Sequence, residues 1–216
     1  MTLDLHSRTD RPWERADYWP VLSSATAGLE TPVGAISLPA LAQGDKAAQE
    51  AEMMAAWQEM MTPGPHHQAL ATHAGDWEVH SSMKMDPSSE PMMSDGTAHL
   101  EMVANGLFLQ ETVNAPMMGM PWTGYGVSGF DKALNKHVGI WYDSAGTMIM
   151  NFQGDCTDNC STITMTANFV DPMTKQPSSM KTVTKMTDRD HATNQLYTMM
   201  DGKEWMMGEI TYTRKK

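Results

Sequence analysis

From Trp77 to the C-terminus the chain alternates between apolar and polar positions. In "WEVHSSMKM", Trp77, Val79, Met83 and Met85 fall on one face, with Glu78, His80 and Lys84 on the other. "TAHLEMVA" sets Ala98, Leu100 and Met102 against His99 and Glu101. "STITMTANFV" sets Ile163, Met165, Ala167 and Phe169 against three threonines and Asn168. A period of two is that of a strand with one buried face. Turn signals separate the runs: Asp95-Gly96, Asn105-Gly106, Asp131–Asn135, Ser144–Gly146, Asp155–Asn159, Asp171–Pro177, Asp188–Asp190 and Asp201-Gly202. The spacing predicts about ten strands over 76–214 with no helix-length gap between them. Loops this short force neighbouring strands to be antiparallel. A long meander with one apolar face buries that face, and removes its edges, by closing on itself. The expected fold is all-β, an antiparallel up-and-down barrel of about ten strands.

Before Trp77 the period changes. In "DKAAQEAEMMAAWQEMM", residues 45–61, Met53, Met54, Trp57, Met60 and Met61 recur at helical spacing among strong helix formers. Pro63-Gly64-Pro65 ends that helix, and a shorter one is expected over 66–73. Residues 1–43 show no sustained period. "SLPALAQ" places Ala40 and Ala42 in the A-x-A pattern of a secretory cleavage site, although the stretch before it contains Glu30 and Pro32. The expected organisation is a flexible segment or degraded signal region over 1–43, a helical lead-in over 44–74, and a barrel over 75–216. A periplasmic or secreted location is expected, with the cytoplasm as the alternative.

Composition narrows the partners. With 26 acidic residues against 15 basic, the net charge is −11. A surface of that sign repels nucleic acid and anionic lipid, whose binding rests on Lys and Arg. No apolar run reaches the length of a membrane span. Methionine, 23 residues of it, replaces much of the usual Leu, Ile, Val and Phe. It fills irregular gaps and lines adaptable surfaces. Cys156 and Cys160, in "DCTDNC", read either as a small disulfide across a hairpin tip or as two free thiols. Their sequence neighbourhood holds no matching His pair, so no metal site is assigned to them.

"MMGMPWTGYGVSGFD", residues 117–131, carries the densest candidate surface. Met117, Met118, Met120 and Trp122 are expected to rim a barrel mouth, with Gly124, Gly126 and Gly129 letting the following strand bend. Trp141, Met83 and Met102 are expected to line the cavity. Glu111, on the face of Leu109 and Val113, and Asp143, on the face of Trp141 and His137, are the inward carboxylates. Each is costly to bury unless paired or used. Soft thioethers at the rim would suit Cu(I), but an apolar lip needs no metal. His66, His67 and His73 share a short helix, and His66 and His73 are too far apart along it to hold one ion. A metal site would have to be assembled from distant elements. His137 and His191 are the candidate axial ligands of a haem. No Ser-His-Asp, Cys-His or paired-carboxylate signature is present, so no catalytic residue is assigned.

"GDWEV" at 75–79, "GLFLQETV" at 106–113, "WYDSAGT" at 141–147, "DPMT" at 171–174 and "GEITYTRK" at 208–215 flank that stretch in a specific order. Together with it they resemble the bacterial family of unknown function numbered 1579, over about residues 63–215. The resemblance implies a calycin-like, lipocalin-type barrel, with a Gly-x-Trp on the first strand and an Arg near the end of the last. Here those residues are Gly75, Trp77 and Arg214, with the guanidinium expected over the indole. The resemblance implies a cavity and brings no activity or cofactor with it. The function expected is therefore lipocalin-like binding of a small apolar or amphipathic molecule. A haem- or metal-dependent enzyme or redox protein, and a packed structural or partner-binding module, are the alternatives. Ligand identity and oligomeric state are not legible.

Overall fold

The computed structural model describes residues 41–200 and 202–216. The segment expected to be flexible or signal-like lies outside the described residues, apart from the start of the first helix. The chain divides between Asp45 and Lys46, and the barrel belongs to the second unit, Lys46–Lys216.

Helix α1, Leu41–Met61, starts four residues before the expected Asp45 and stops where the Pro63-Gly64-Pro65 run begins. From Lys46 on it is exposed throughout, Met53, Met54, Trp57, Met60 and Met61 included. Its methionines therefore make no core within the described residues. Helix α2, Pro65–Ala71, opens on proline, whose fixed φ suits the first helical turn. His67 Nδ1 accepts the Gly64 N–H at 3.0 Å. The helix ends two residues before the expected His73, and only Leu70 and His67 are buried.

Ten strands follow: β1 Gly75–Met83, β2 Met92–Val103, β3 Phe108–Met117, β4 Met120–Asp131 and β5 Lys136–Asp143, then β6 Met150–Thr157, β7 Thr162–Val170, β8 Pro177–Met186, β9 His191–Met200 and β10 Lys203–Arg214. Each pairs antiparallel with the next, and β1 pairs with β10, so the sheet is a closed up-and-down barrel. Register fixes what faces inward. Trp77 pairs with Arg214 on one side and Ala98 on the other, and Leu100 pairs with Glu111, which pairs with Gly126. Carried round the barrel, one set of alternate positions points in, as the period-two pattern requires.

The two ends differ. At the α2 end, Leu70, Trp77, Leu100, Leu109, Ile163, Ala192 and Tyr212 pack into one buried cluster. At the opposite end the interior positions are only half-buried, and the β3–β4 connection is the two-residue turn Met118-Gly119, both at positive φ. That geometry is the tight hairpin whose twist matches the strands it joins. On the α2 side two connections share a different design. Ala104–Gly106 and Asp158–Cys160 each run three residues in the left-handed region.

Glycines give room to large rings. A Cβ at Gly124 would collide with Trp141 and Trp122, and one at Gly75, where φ is +136°, would collide with the Arg214 guanidinium. Trp77 is 1% exposed at the centre of the α2-end cluster. Trp77→Ala is expected to cost roughly 3–5 kcal/mol in urea denaturation, the range for emptying a large aromatic site. Trp57→Ala, on the exposed α1, is expected to stay within about 0.5 kcal/mol. Equal effects at the two sites would contradict this description of the core.

Candidate functional site

Arg214 organises the closed end. Its guanidinium carbon lies 4.0 Å from the centroid of the Trp77 ring. Nη1 donates to the Ala74 carbonyl at 2.6 Å, Nη2 to Thr72 at 2.8 Å, and Nε to Arg189 at 3.0 Å. The Trp77 indole N–H donates to the His73 carbonyl at 2.9 Å. The last strand and the first strand thus hold three consecutive carbonyl-bearing positions, 72 to 74, just beyond α2. Since α2 has too few residues to hold itself in place, this grip sets where its side chains lie.

One side chain so placed is His66. Its ring stacks on Phe130 at 3.7 Å between centroids, with the planes parallel. Its Nδ1 is 3.2 Å from His137 Nε2, 3.6 Å from Cys156 Sγ and 3.3 Å from Cys160 Sγ. His137 points inward at the start of β5, 2% exposed. Cys156 lies on the inward face of β6, and Cys160 closes the β6–β7 turn. The two cysteines are joined as a disulfide. Burial holds the His137 pKa down at about 4, with the His66 imidazole adding to the effect.

Inside the barrel above this cluster is a cavity of about 80 Å³. Leu70, Leu100, Leu109, Ile163 and Met165 form its apolar wall, and His73, Glu111, His137, Asn194 and Tyr212 are among its polar groups. Glu111 Oε1 accepts the Tyr212 hydroxyl at 3.1 Å. Loss of hydration raises the Glu111 pKa to about 7, against a smaller opposing effect of that hydrogen bond. Burial, with the Glu111 carboxyl group adding to it, drives the Tyr212 phenol well above its usual value. His73 is buried, its pKa is lowered to about 4 by burial and by Arg214, and its Nε2 has no hydrogen-bond partner.

The remaining sequence-predicted residues fall in two places. Trp122 and Trp141 pack together at 6.1 Å between centroids, and Trp141 Nε1 donates to Asp143 at 3.3 Å. Met83 lies at the same end, against Gly208. Met117, Met118 and Met120 stand exposed at the tip of the β3–β4 hairpin. Met102 is at the other end, opposite Leu109, so the structure does not bring it together with Met83. His80 and His99 are exposed beside Asp95 and Asp76, and His191 is exposed beside Asp188.

The histidine–cysteine group escapes sequence reasoning because its members come from α2, β5 and the β6–β7 hairpin. Part of it is legible. His137 and Cys156 share the inward faces of paired strands, since His137 pairs with Gly154. The position of α2 over them has no local signal. A haem does not fit what is present: His191 is on the surface, His137 Nε2 faces His66, and the cavity is far smaller than the roughly 300–1,000 Å³ that encloses even a drug-sized ligand.

Among solved structures, that of Rv2717c from M. tuberculosis is similar at a TM-score of 0.52 and 16% identity, over 72% of this chain and 100% of that one. At that identity the likeness is one of fold. A redesigned β-barrel aligns at 12% identity and a TM-score of 0.37, over 68% of this chain and 96% of its own. No curated protein matches. The sequence profile of the family described as "Protein of unknown function (DUF1579)" matches residues 62–214, and the chain belongs to that family.

Proposed function

We propose that the barrel is a lipocalin-like binding protein for a small, neutral, amphipathic molecule, whose polar head meets Glu111 and His73. The observation that carries this reading is the unpartnered His73 Nε2 on the same cavity as a carboxyl group held near neutrality. A buried polar atom without a partner is costly unless something fills the role. The apolar wall accounts for the other end of the ligand. A charged head would lose its hydration here, so hydroxyl or amide groups suit the site better. The volume restricts the occupant to a few heavy atoms. The methionine hairpin and the Trp122–Trp141 pair stand at the half-buried end, where a ligand would pass, and methionine adapts to shape at little strain. The disulfide is a bond that an oxidising compartment maintains, which supports a periplasmic or secreted location. A packed module is the second reading, favoured by the small volume of the cavity.

Short-chain alcohols and amides are the probes. At a hundredfold excess over its dissociation constant, a ligand is expected to stabilise the barrel by about 2.7 kcal/mol in thermal or urea unfolding. Asn194→Leu, which fills the cavity from its wall, is expected to remove that stabilisation while the fold is kept. If no probe stabilises the wild type, or if Asn194→Leu responds as the wild type does, the packed module is the better description.

A pH series tests the electrostatics separately. Glu111 titrates near 7 in the folded chain and near 4.5 when unfolded, so the folded state holds its proton more tightly. Its contribution is present in full below about pH 4.5 and is lost as pH rises to about 7. Neutral burial of His73 and His137 works in the opposite sense, costing stability as pH falls from 6.5 to about 4. The Glu111 component is therefore read as the difference between wild type and Glu111→Gln. The variant is expected to gain on the wild type by on the order of 2–3 kcal/mol between pH 4.5 and 8. A difference that does not change with pH would place the carboxyl group in water.

A further inference from the structure

We propose that the reduced chain binds one zinc-type divalent ion through His66 Nδ1, His137 Nε2 and the thiolates of Cys156 and Cys160. Among the described residues these four donor atoms all lie within 4.8 Å of one another. The ligand set, two thiolates and two imidazoles, is that of a tetrahedral zinc site, and the C-x3-C spacing is within the usual range.

The distances around His66 match such a site. Zinc bonds of about 2.0 Å to nitrogen and about 2.3 Å to sulfur set a tetrahedron whose N–S edges are about 3.5 Å and N–N edge about 3.3 Å. His66 Nδ1 stands 3.6 and 3.3 Å from the two sulfurs and 3.2 Å from His137 Nε2. Three edges of the tetrahedron that meet at His66 are therefore already in place. The His66 ring cannot easily turn away, being stacked flat on Phe130. A second observation is independent of these distances. The two three-residue left-handed turns differ at their third position, where one has Gly106 at φ 83° and the other Cys160 at φ 62°. Glycine takes that conformation at no steric cost, whereas a side chain there is held against its preference. Such outliers concentrate where a side chain is used.

Disulfide and metal site are alternative states of the same pair. A thiol or phosphine reductant supplies two electrons to the sulfur–sulfur bond and is itself oxidised, leaving two thiols. Binding a divalent ion then releases their two protons and changes no oxidation state. Four protein ligands leave no open position, so the site is structural and not catalytic. It would clip α2 to β5 and to the β6–β7 hairpin, with the energy of binding added to that of folding.

The experiment uses the full chain, reduced with a phosphine under anaerobic conditions and freed of metal by a chelator. Cobalt(II) is titrated in as a spectroscopic substitute for zinc. One equivalent is expected to give the thiolate-to-cobalt charge-transfer band and the intense visible bands of a tetrahedral ion. One equivalent of zinc(II) is expected to bleach both. The oxidised chain is expected to give neither, and Cys156→Ser/Cys160→Ser likewise. His66→Ala is expected to weaken binding at least about tenfold, whereas His191→Ala, at an exposed histidine outside the group, leaves it unchanged. The proposal fails if the reduced, folded chain takes up no stoichiometric ion, or if uptake survives in the double cysteine variant. It fails equally if the reduced chain is unfolded by circular dichroism and zinc does not refold it.

Discussion

Everything at the closed end depends on one cation lying over one indole. Arg214 comes from the last residue of β10, and Trp77 from the start of β1, so their contact exists only when the barrel is closed. The same guanidinium then spends its N–H groups on carbonyls beyond α2. A guanidinium is the side chain suited to this, because its planar fork of donors can stack and donate at once. Gly75 is the geometric partner of that arrangement: only a residue without Cβ leaves space for Nη1 there. Through the 72–74 carbonyls, α2 and with it His66 take their position from this junction.

The interior is more polar than a simple apolar core. Burying Glu111 against Tyr212 costs hydration that one hydrogen bond does not return, and the carboxyl group answers by holding its proton up to about pH 7. His73 and His137 answer the same pressure by staying neutral. Between about pH 4 and pH 7 the barrel thus holds these three groups largely in uncharged forms. That is the state in which they are least costly to bury and still able to hydrogen-bond a neutral guest.

Much of this is legible in the sequence. The inward faces of β1, β2, β3 and β7 follow from alternation alone, and turn residues mark most strand ends. Asp95-Gly96, expected as a turn, instead lies inside β2, where Gly96 pairs with Val79 and leaves space for Ala115. Antiparallel order follows from loop length, and closure from the absence of any covering helix over the meander. The pairing of Trp77 with Arg214 follows from family resemblance, not from the residues themselves. What alternation cannot say is which end of the barrel a residue occupies relative to another strand. Met83 and Met102 share the interior, but antiparallel register sends them to opposite ends. Nor does a two-residue period place α2, whose docking depends on carbonyl acceptors that carry no side-chain signature. The helical spacing of methionines in α1 resembles a buried stripe and is a solvent-facing one, since periodicity reports a face and not what covers it.

The pairing of β1 with β10 also imposes an order on biogenesis. Nine of the ten strand interfaces join neighbours in the chain and can form as hairpins while the polypeptide is being made. The tenth spans the whole domain, as in the Thr211 hydroxyl that donates to the His80 carbonyl 131 residues away. Until the final strand leaves the ribosome, β1 and β9 both present open edges, and the indole of Trp77 lacks its cation. A nascent chain stalled at that stage would carry two strand edges ready to pair with other molecules. The final strand therefore acts as the seam of the molecule, and chaperone demand should be highest just before it appears.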